Sequence, residues 1–195
     1  MRAKPYTGIG SRETPPEILT ILRSLGGALA RRGYRLRSGA ADGADSAIEQ
    51  GAFEAGGKSE IFLPWKGFNL SLDGIDAQSL PTFARACELA EGFHPNWSRL
   101  KPPVRALMGR NAMQVLGSDL ESPSLFLVCW APNPIIDLYG ELADTGGGTG
   151  LAVRMAHAHG IPRFHLGLPE HAQRIERFCD GNLPVCMTAG QLPHD

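Results

Sequence analysis

The chain has 195 residues, a length that suits one domain with a hydrophobic core and is short for two. Hydrophobic residues make up 43% and charged residues 20%, which argues against an intrinsically disordered chain. The formal net charge of −1 argues against a protein that binds nucleic acid through bulk electrostatics. No apolar run reaches about 18 residues, and residues 1–12 are too polar for a signal peptide, so we expect a cytoplasmic protein.

The predicted strands and helices alternate along the chain. In chain order they are a strand at 6–9, a helix at 15–33, a strand at 34–37, a helix at 42–55, a strand at 61–63, helices at 82–92 and 103–117, a strand at 125–130, a helix at 149–159, a strand at 164–166 and a helix at 169–179. Thr14 and Glu17 are spaced as a capping box at the start of the first helix. Residues 65–80 and 131–148 show no regular period and are predicted as loops.

This alternation predicts the fold class. Strands that alternate with helices favour an α/β fold, a Rossmann-like three-layer sandwich with a mostly parallel sheet. We expect residues 1–179 to form this single domain and residues 180–195 to be a loosely ordered C-terminal tail.

Metal ligands are not apparent in the sequence. None of the four cysteines forms a C-x-x-C pair, which argues against a zinc site or a disulfide framework. His157 and His159 are two positions apart on a predicted helix and would point to different sides. The sequence therefore predicts no metal and no resident cofactor.

Three glycine-rich turns each precede a predicted helix. They are Gly8-Ile9-Gly10-Ser11-Arg12, Ser38-Gly39-Ala40-Ala41-Asp42-Gly43-Ala44-Asp45 and Gly146-Gly147-Gly148-Thr149-Gly150. Turns at the carboxyl ends of parallel strands are where α/β sheets bind ligands, and helix N-termini there attract phosphate. Strand-to-helix turns also use glycine for purely structural reasons, but three in one chain favour a phosphate-containing ligand. The absence of a Gly-Lys-Ser/Thr triplet argues against an ATPase.

The order and spacing of these turns resemble the SLOG superfamily, which joins the DNA-processing protein DprA (Smf) with the Lonely-guy (LOG) phosphoribohydrolases. The resemblance runs from about residue 4 to residue 168. The segment Ile61-Phe62-Leu63-Pro64-Trp65-Lys66-Gly67-Phe68-Asn69 is similar to short SLOG proteins of bacteria and their phages. The resemblance implies a Rossmann-like fold and a nucleotide or ADP-ribose-like ligand at the carboxyl edge of the sheet.

The Lonely-guy enzymes cleave the N-glycosidic bond of a nucleoside 5′-monophosphate with an arginine and a glutamate. Met108-Gly109-Arg110-Asn111 resembles their arginine segment, with one residue fewer before Arg110. Gly150, Leu151 and Ala152 follow Thr149, so the matching glutamate is absent. The resemblance therefore leaves open whether this chain cleaves its ligand.

Two chemistries follow for a nucleotide-type ligand. One is binding without turnover, as a sensor or sequestering protein. The other is hydrolysis as a phosphoribohydrolase, with Arg110, Asp45 and Asp144 as the candidate catalytic residues, because glycosidic cleavage needs a carboxylate. Asp45 also has a structural alternative, since a carboxylate at a helix start can cap the helix.

The predicted ligand site combines backbone, hydroxyl and charged groups from all three turns and from the arginine segment. Glycines would allow close approach, serine and threonine would donate hydrogen bonds, and arginines would supply charge. The predicted ligand-binding residues are Gly8, Gly10, Ser11, Arg12, Ser38, Gly39, Gly43, Asp45, Arg110, Asn111, Gly146, Gly147, Gly148 and Thr149.

DprA supplies the alternative function, single-stranded DNA binding in recombination. Gly109-Arg110-Asn111 and the stretch from Gly148 to Gly160 resemble DprA segments. Single-strand binding requires a positive groove and aromatic stacking platforms, and only 7% of residues are aromatic. Trp65 and Trp97 are the candidate platforms, and a local basic patch could come from Arg12, Lys66, Lys101, Arg105 and Arg110.

The families also imply a homodimer. An exposed apolar helix at 103–117 would be one way to form it. The sequence does not show which face would pair.

Overall fold

The computed structural model describes residues 4–71 and 73–179. The predicted C-terminal tail, residues 180–195, lies outside the described residues. The helices and strands, numbered in chain order, are β1 (Lys4–Gly10), α1 (Pro16–Arg31), β2 (Tyr34–Ser38), α2 (Ala44–Glu54), β3 (Ser59–Leu63), β4 (Ile75–Asp76), α3 (Phe83–Phe93), α4 (Pro102–Leu116), β5 (Leu127–Trp130), β6 (Ile135–Ile136), β7 (Leu142–Asp144), α5 (Gly147–Ala158), β8 (Arg163–His165) and α6 (Pro169–Phe178).

A parallel sheet of six strands forms the centre of the described structure, in the order β4-β3-β2-β1-β5-β8. The central strands β1 and β5 pair in register, with Gly8 beside Val128 and Gly10 beside Trp130. Leu127, Val128 and Cys129 are fully buried, as expected of an uncharged strand covered on both faces. The predicted Rossmann-like α/β class is confirmed.

Helices cover both faces of the sheet and create two cores. One face is covered by α1, α2 and α6, and its core includes Leu25, Ile48 and Ile175. The opposite face is covered by α3, α4 and α5, with Met113 and Leu151 in its core. None of the helices in the described residues is long and apolar enough to cross a membrane.

Helix α4 is an interior helix. Ten of its residues are buried, because it packs between α3 and α5 and against the sheet. A helix that is surrounded by other elements carries apolar residues on all sides, and this accounts for the apolar sequence of 103–117. The expectation of an exposed apolar surface at this helix is therefore wrong.

Two further local predictions differ from the structure. Thr14 does not cap α1: its hydroxyl donates to the Ser11 carbonyl at 2.6 Å, and Pro15 occupies the cap position. The predicted loops contain β4 and the antiparallel β6–β7 hairpin, whose strands of two or three residues are too short to show a period.

The close approach of α1 and α2 depends on two glycines. A Cβ at Gly26 would lie 2.2 Å from the Ile48 carbonyl oxygen, and a Cβ at Gly51 would lie 1.8 Å from the Arg23 carbonyl oxygen. Backbone atoms cannot move aside as a flexible side chain can. These glycines therefore set the distance between the two helices.

We predict that Gly51→Ala destabilises the protein by about 2 kcal/mol, although alanine is the better helix former, because the clash forces two packed helices apart. Gly92→Ala in α3 is the matched control: its Cβ would meet nothing within 4 Å, so it should be neutral or stabilising by up to about 1 kcal/mol. Urea unfolding measures both. Equal effects of the two substitutions would contradict the packing role of Gly51.

Candidate functional site

A cavity of about 400 Å³ opens at the carboxyl edge of the sheet, beside the ends of β1 and β5. The chain order reverses between these strands, because β2, β3 and β4 lie on one side of β1 and β5 and β8 on the other. Open α/β sheets bind ligands at such a switch point. The turn after β1, the helices α2 and α4, the segment after β5 and the start of α5 all contribute to the wall.

The cavity gathers most of the predicted ligand-binding residues. Those that line it are Gly10, Ser11, Arg12, Asp45, Arg110, Asn111, Gly146, Gly147, Gly148 and Thr149. The predicted residues outside its lining are Gly8, Ser38, Gly39, Gly43 and Asp144. Lining residues that the sequence did not suggest include Ala131, Pro132, Asn133 and Thr145.

The glycines outside the lining serve the packing around the site. A Cβ at Gly8 would lie 2.9 Å from the Ile48 side chain, and a Cβ at Gly39 would lie 1.1 Å from Nη1 of Arg110. Gly43 has a φ of +82°, and its Cβ would lie 2.5 Å from the Ser11 carbonyl oxygen. Ser38 is fully buried beside Glu49. These positions make room for the cavity wall and for Arg110.

The N-terminus of α5 forms one end of the cavity. Gly146 and Gly147 have φ values of +73° and +56°, the left-handed region that favours glycine. In the described part of the chain no acceptor meets the amides of Gly147, Gly148 and Thr149. The carbonyl of Gly148 is held by Nδ2 of Asn111 at 3.0 Å. Free amides at a helix start are an anion-binding arrangement.

Asp144 holds the turn that leads into α5. Its Oδ1 accepts hydrogen bonds from the amides of Thr145 (2.7 Å) and Gly146 (2.9 Å), and its Oδ2 pairs with Arg154 at 2.5 Å. Partial burial alone would raise the pKa of Asp144, but the two amides and Arg154 outweigh burial and lower this pKa. Asp144 is thus ionised and already paired.

Arg110 lies buried at the inner wall of the cavity. Its guanidinium packs against Gly39 on one side, and its Cζ lies 5.8 Å from the centre of the Phe68 ring. Nη1 of Arg110 is 3.6 Å from Oδ2 of Asp45, longer than a normal hydrogen bond. Nε and Nη1 make no hydrogen bond within the residues that the structure describes. The buried cation therefore retains unused donors.

Asp45 connects this cation to the turn after β1. Its side chain is 2% exposed, and Oδ1 accepts a hydrogen bond from the Gly10 amide at 3.0 Å. It does not cap α2, since Gly43 occupies the cap position without a side-chain bond. Burial raises the pKa of Asp45 to about 6, although Arg110 and the Gly10 amide act in the opposite direction.

Glu49 is a site residue that the sequence analysis missed. It lies one helical turn after Asp45 on α2, and its Oε1 accepts a hydrogen bond from the Ala40 amide at 2.8 Å. Burial and the neighbouring Asp45 carboxylate raise the pKa of Glu49 to about 7. The spacing of four residues was the available signal, because it places both carboxylates on one face of a helix.

Part of the cavity lining is apolar, and it includes Met108, whose Cε lies 3.3 Å from the position of a Cβ on Gly148. Leu107 and Met108 contribute to it from α4, and Ala131 and Pro132 contribute to it from the segment after β5. Asn133, at a φ of +57°, is the polar residue of that segment. The lining therefore combines anion-binding groups with apolar surface.

The predicted basic patch and stacking platforms are not brought together. Of the patch, Arg12 and Arg110 line the cavity, while Lys66, Lys101 and Arg105 do not. Trp97 is 8% exposed, with the Arg105 guanidinium 5.7 Å from its ring, and Trp65 packs edge-on against Phe68. Among the described residues, no group of three potential metal ligands is present.

Comparisons with known proteins support the fold class. No protein-family model matches the sequence. No curated protein matches it either. The structure is similar to the molybdenum cofactor carrier protein MCP from Chlamydomonas reinhardtii, with 20% identity, a TM-score of 0.51, and coverage of 92% of this chain and 87% of that chain.

It is also similar to DNA processing protein A from Helicobacter pylori, whose structure concerns single-stranded DNA binding. That similarity has 17% identity, a TM-score of 0.52, and coverage of 93% of this chain and 74% of that chain. At such identities the similarity shows the fold alone. Both neighbours are consistent with the Rossmann-like fold that the sequence resemblance implied.

We predict that Glu49→Gln flattens the pH dependence of stability between pH 5 and 8. A carboxyl whose pKa is raised on folding stabilises the folded state fully at a pH below the pKa of the unfolded chain. For Glu49 this stabilisation is lost as the pH rises through its folded-state pKa of about 7. Relative to wild type, the variant should gain about 2 kcal/mol in free energy of unfolding from pH 5 to pH 8.

Urea unfolding at both pH values measures this gain. Glu54→Gln is the matched control, because Glu54 is on the same helix but is exposed and paired with Arg23. This control should leave the pH dependence over that range unchanged. Parallel pH profiles for wild type and Glu49→Gln would show that Glu49 titrates as an ordinary surface carboxyl.

Proposed function

We propose that this protein binds a small phosphate-bearing ligand of nucleotide type in the cavity and holds it without turnover. The observation that carries the proposal is the convergence of three unpaired α5 amides with Arg12 and Arg110 on one cavity. This agrees with the sequence-based expectation of a nucleotide or ADP-ribose-like ligand and adds that the phosphate binds at the N-terminus of α5.

The phosphate group belongs at the α5 end. Each free amide can donate one hydrogen bond to a phosphate oxygen, and the helix adds a partial positive charge there. Thr149 carries a hydroxyl on the same wall, and Arg12 is exposed there without an ion pair among the described residues. Arg12 and Arg110 lie close enough that their charges interact. A phosphate between these groups relieves that repulsion.

The flat part of the ligand would contact the apolar part of the lining. Leu107, Met108 and Pro132 offer apolar surface there, and Asn133 offers a donor and an acceptor for a heterocycle edge. A volume of about 400 Å³ lies within the range of small-molecule pockets. A mononucleotide or a cofactor of similar size fits this description.

The carboxylates favour binding over hydrolysis. Asp144 lies outside the cavity lining and is paired with Arg154. Oδ1 of Asp45 is held by the Gly10 amide, and Oδ2 faces Arg110. Glycosidic cleavage needs a carboxylate that is free to approach the reacting carbon or its water. The three positions after Thr149, where the Lonely-guy resemblance would require a glutamate, hold glycine, leucine and alanine.

The structural neighbours supply the two classes of ligand to compare. One is described as a cofactor carrier and the other as a single-stranded DNA binder. The burial of Trp97 and the absence of Lys66, Lys101 and Arg105 from the cavity favour the small ligand. Oligonucleotide binding is therefore an outcome of the test, not part of the proposal.

A thermal-shift screen tests the proposal. The panel contains nucleoside mono-, di- and triphosphates, NAD, ADP-ribose and its cyclic forms, inorganic phosphate and a short oligonucleotide. A ligand at 100 times its Kd should stabilise the protein by about 2.7 kcal/mol, or roughly 5–11 °C in Tm. Mass spectrometry then shows whether the ligand is recovered intact. Cleavage would replace the binding proposal by the hydrolase, and a response to the oligonucleotide alone would favour the DprA-like function.

We predict that Arg12→Ala weakens binding of the stabilising nucleotide by 10-fold to 100-fold, because one charge-assisted contact to phosphate is lost. Arg23→Ala is the matched control: Arg23 is equally exposed but pairs with Glu54 away from the cavity. This control should bind as wild type does. Isothermal titration calorimetry measures both, and equal affinities for the two variants would place the phosphate elsewhere.

A further inference from the structure

A buried charged cluster lies directly behind the cavity wall. It consists of the carboxylates of Asp45 and Glu49, here called the acid pair, and the guanidinium of Arg110. Asp45 and Arg110 line the cavity, while Glu49 lies one helical turn further along α2. One buried cation therefore faces one buried and one half-buried carboxylate.

Each carboxylate of the acid pair uses only one oxygen for a backbone hydrogen bond. Oδ1 of Asp45 accepts from the Gly10 amide, and Oε1 of Glu49 accepts from the Ala40 amide. Oδ2 of Asp45 faces Arg110, the Ala41 amide and the Gln114 side chain also act on Asp45, and the Ser38 hydroxyl acts on Glu49. Two neighbouring carboxylates with one cation favour retention of a proton near neutral pH, and burial strengthens that tendency.

Among the described residues that line the cavity, Asp45 is the one carboxylate. The charged group that acts on both members of the acid pair is Arg110 from α4, and Arg12 from the turn after β1 acts on Arg110. The neutral polar neighbours are Gln114 from α4 and Ser38 from β2. No histidine is among the residues that line the cavity. Proton exchange on ligand binding can therefore be assigned to the acid pair.

From this geometry we infer that an anion entering the cavity is bound together with a proton, which the acid pair takes up. The inference rests on the proposed function, because it needs an anionic group beside Arg110. Arg110 lines the cavity and lies beside both carboxylates, so an anion in the cavity competes with the acid pair for the same guanidinium. When the anion binds the guanidinium, Arg110 stabilises the ionised carboxylates less, and the acid pair therefore takes up a proton.

Proton uptake fixes the direction in which affinity for the anion changes with pH. Since the bound state holds more protons than the free state, affinity rises as the pH falls. With uptake of about one half to one proton, Kd should fall by about 3-fold to 10-fold for each pH unit between pH 8 and pH 6.5. An ordinary surface anion site would show no such slope for an anion of fixed charge.

The probes must not titrate themselves. Sulfate and ADP-ribose suit this purpose, because their charged oxygens remain ionised across that range, whereas phosphate monoesters titrate near pH 6. Isothermal titration calorimetry at pH 7.5 in two buffers of different ionisation enthalpy gives the number of protons taken up. The proteins are wild type, Glu49→Gln and the control Glu54→Gln.

We expect wild type and Glu54→Gln to take up about one half to one proton and Glu49→Gln to take up fewer than about 0.2. Asp45→Asn provides a second test of the pair if Glu49→Gln does not fold. The measurement on wild type needs no variant.

The outcomes separate the two proposals. Binding of sulfate or ADP-ribose without proton uptake overturns this inference and leaves the proposed function in place. Equal uptake by wild type and Glu49→Gln overturns the assignment to the acid pair. Failure of both probes to bind overturns the inference and counts against the proposed anion site itself.

Discussion

The burial of the Arg110 guanidinium is the constraint on which the candidate site depends. A buried charge without compensation costs several kcal/mol, so the residues around it are arranged to accommodate it. Gly39 leaves the space that the guanidinium occupies, Phe68 covers it, and Asp45 faces it. Asn69 stabilises the turn after β2, because its Nδ2 donates hydrogen bonds to the Ala40 carbonyl and to Oδ1 of Asp42. The segment Ile61–Asn69, which the sequence resemblance singled out, thus supports Arg110.

The same cluster links the separate turns into one site. Asp45 accepts from the Gly10 amide and so joins α2 to the turn after β1. Asn111, next to Arg110 on α4, donates to the Gly148 carbonyl and so joins α4 to the start of α5. The buried position of α4 is what allows one helix to reach both sides of the cavity. A phosphate ligand would bind at the junction of elements far apart in sequence.

Much of the fold could be predicted from the sequence because it follows from local patterns. The apolar run at 125–130 indicated a buried strand, and the glycine-rich turns indicated the carboxyl edge of a parallel sheet. What could not be predicted depends on tertiary contacts. Gly39 and Ser38 belong to a predicted turn, but only the position of Arg110 and Glu49 shows that they support the wall. Glu49 looked like an ordinary helix carboxylate, since nothing local marks it as buried.

The question of catalysis depends on what the carboxylates already contact. Hydrolysis requires an acid that can give up its present partners when substrate enters, whereas Asp144 has two amides and Arg154 to lose. Asp45 would have to turn its Oδ2 away from Arg110 and so weaken the charge compensation of that buried cation. Arg110, by contrast, lines the cavity, and its Nε and Nη1 have no hydrogen bond to lose within the described structure. The groups that are free to act are donors, and donors that surround a cavity hold an anion more readily than they cleave a bond. This difference between engaged carboxylates and free donors is the reason for proposing ligand binding without turnover.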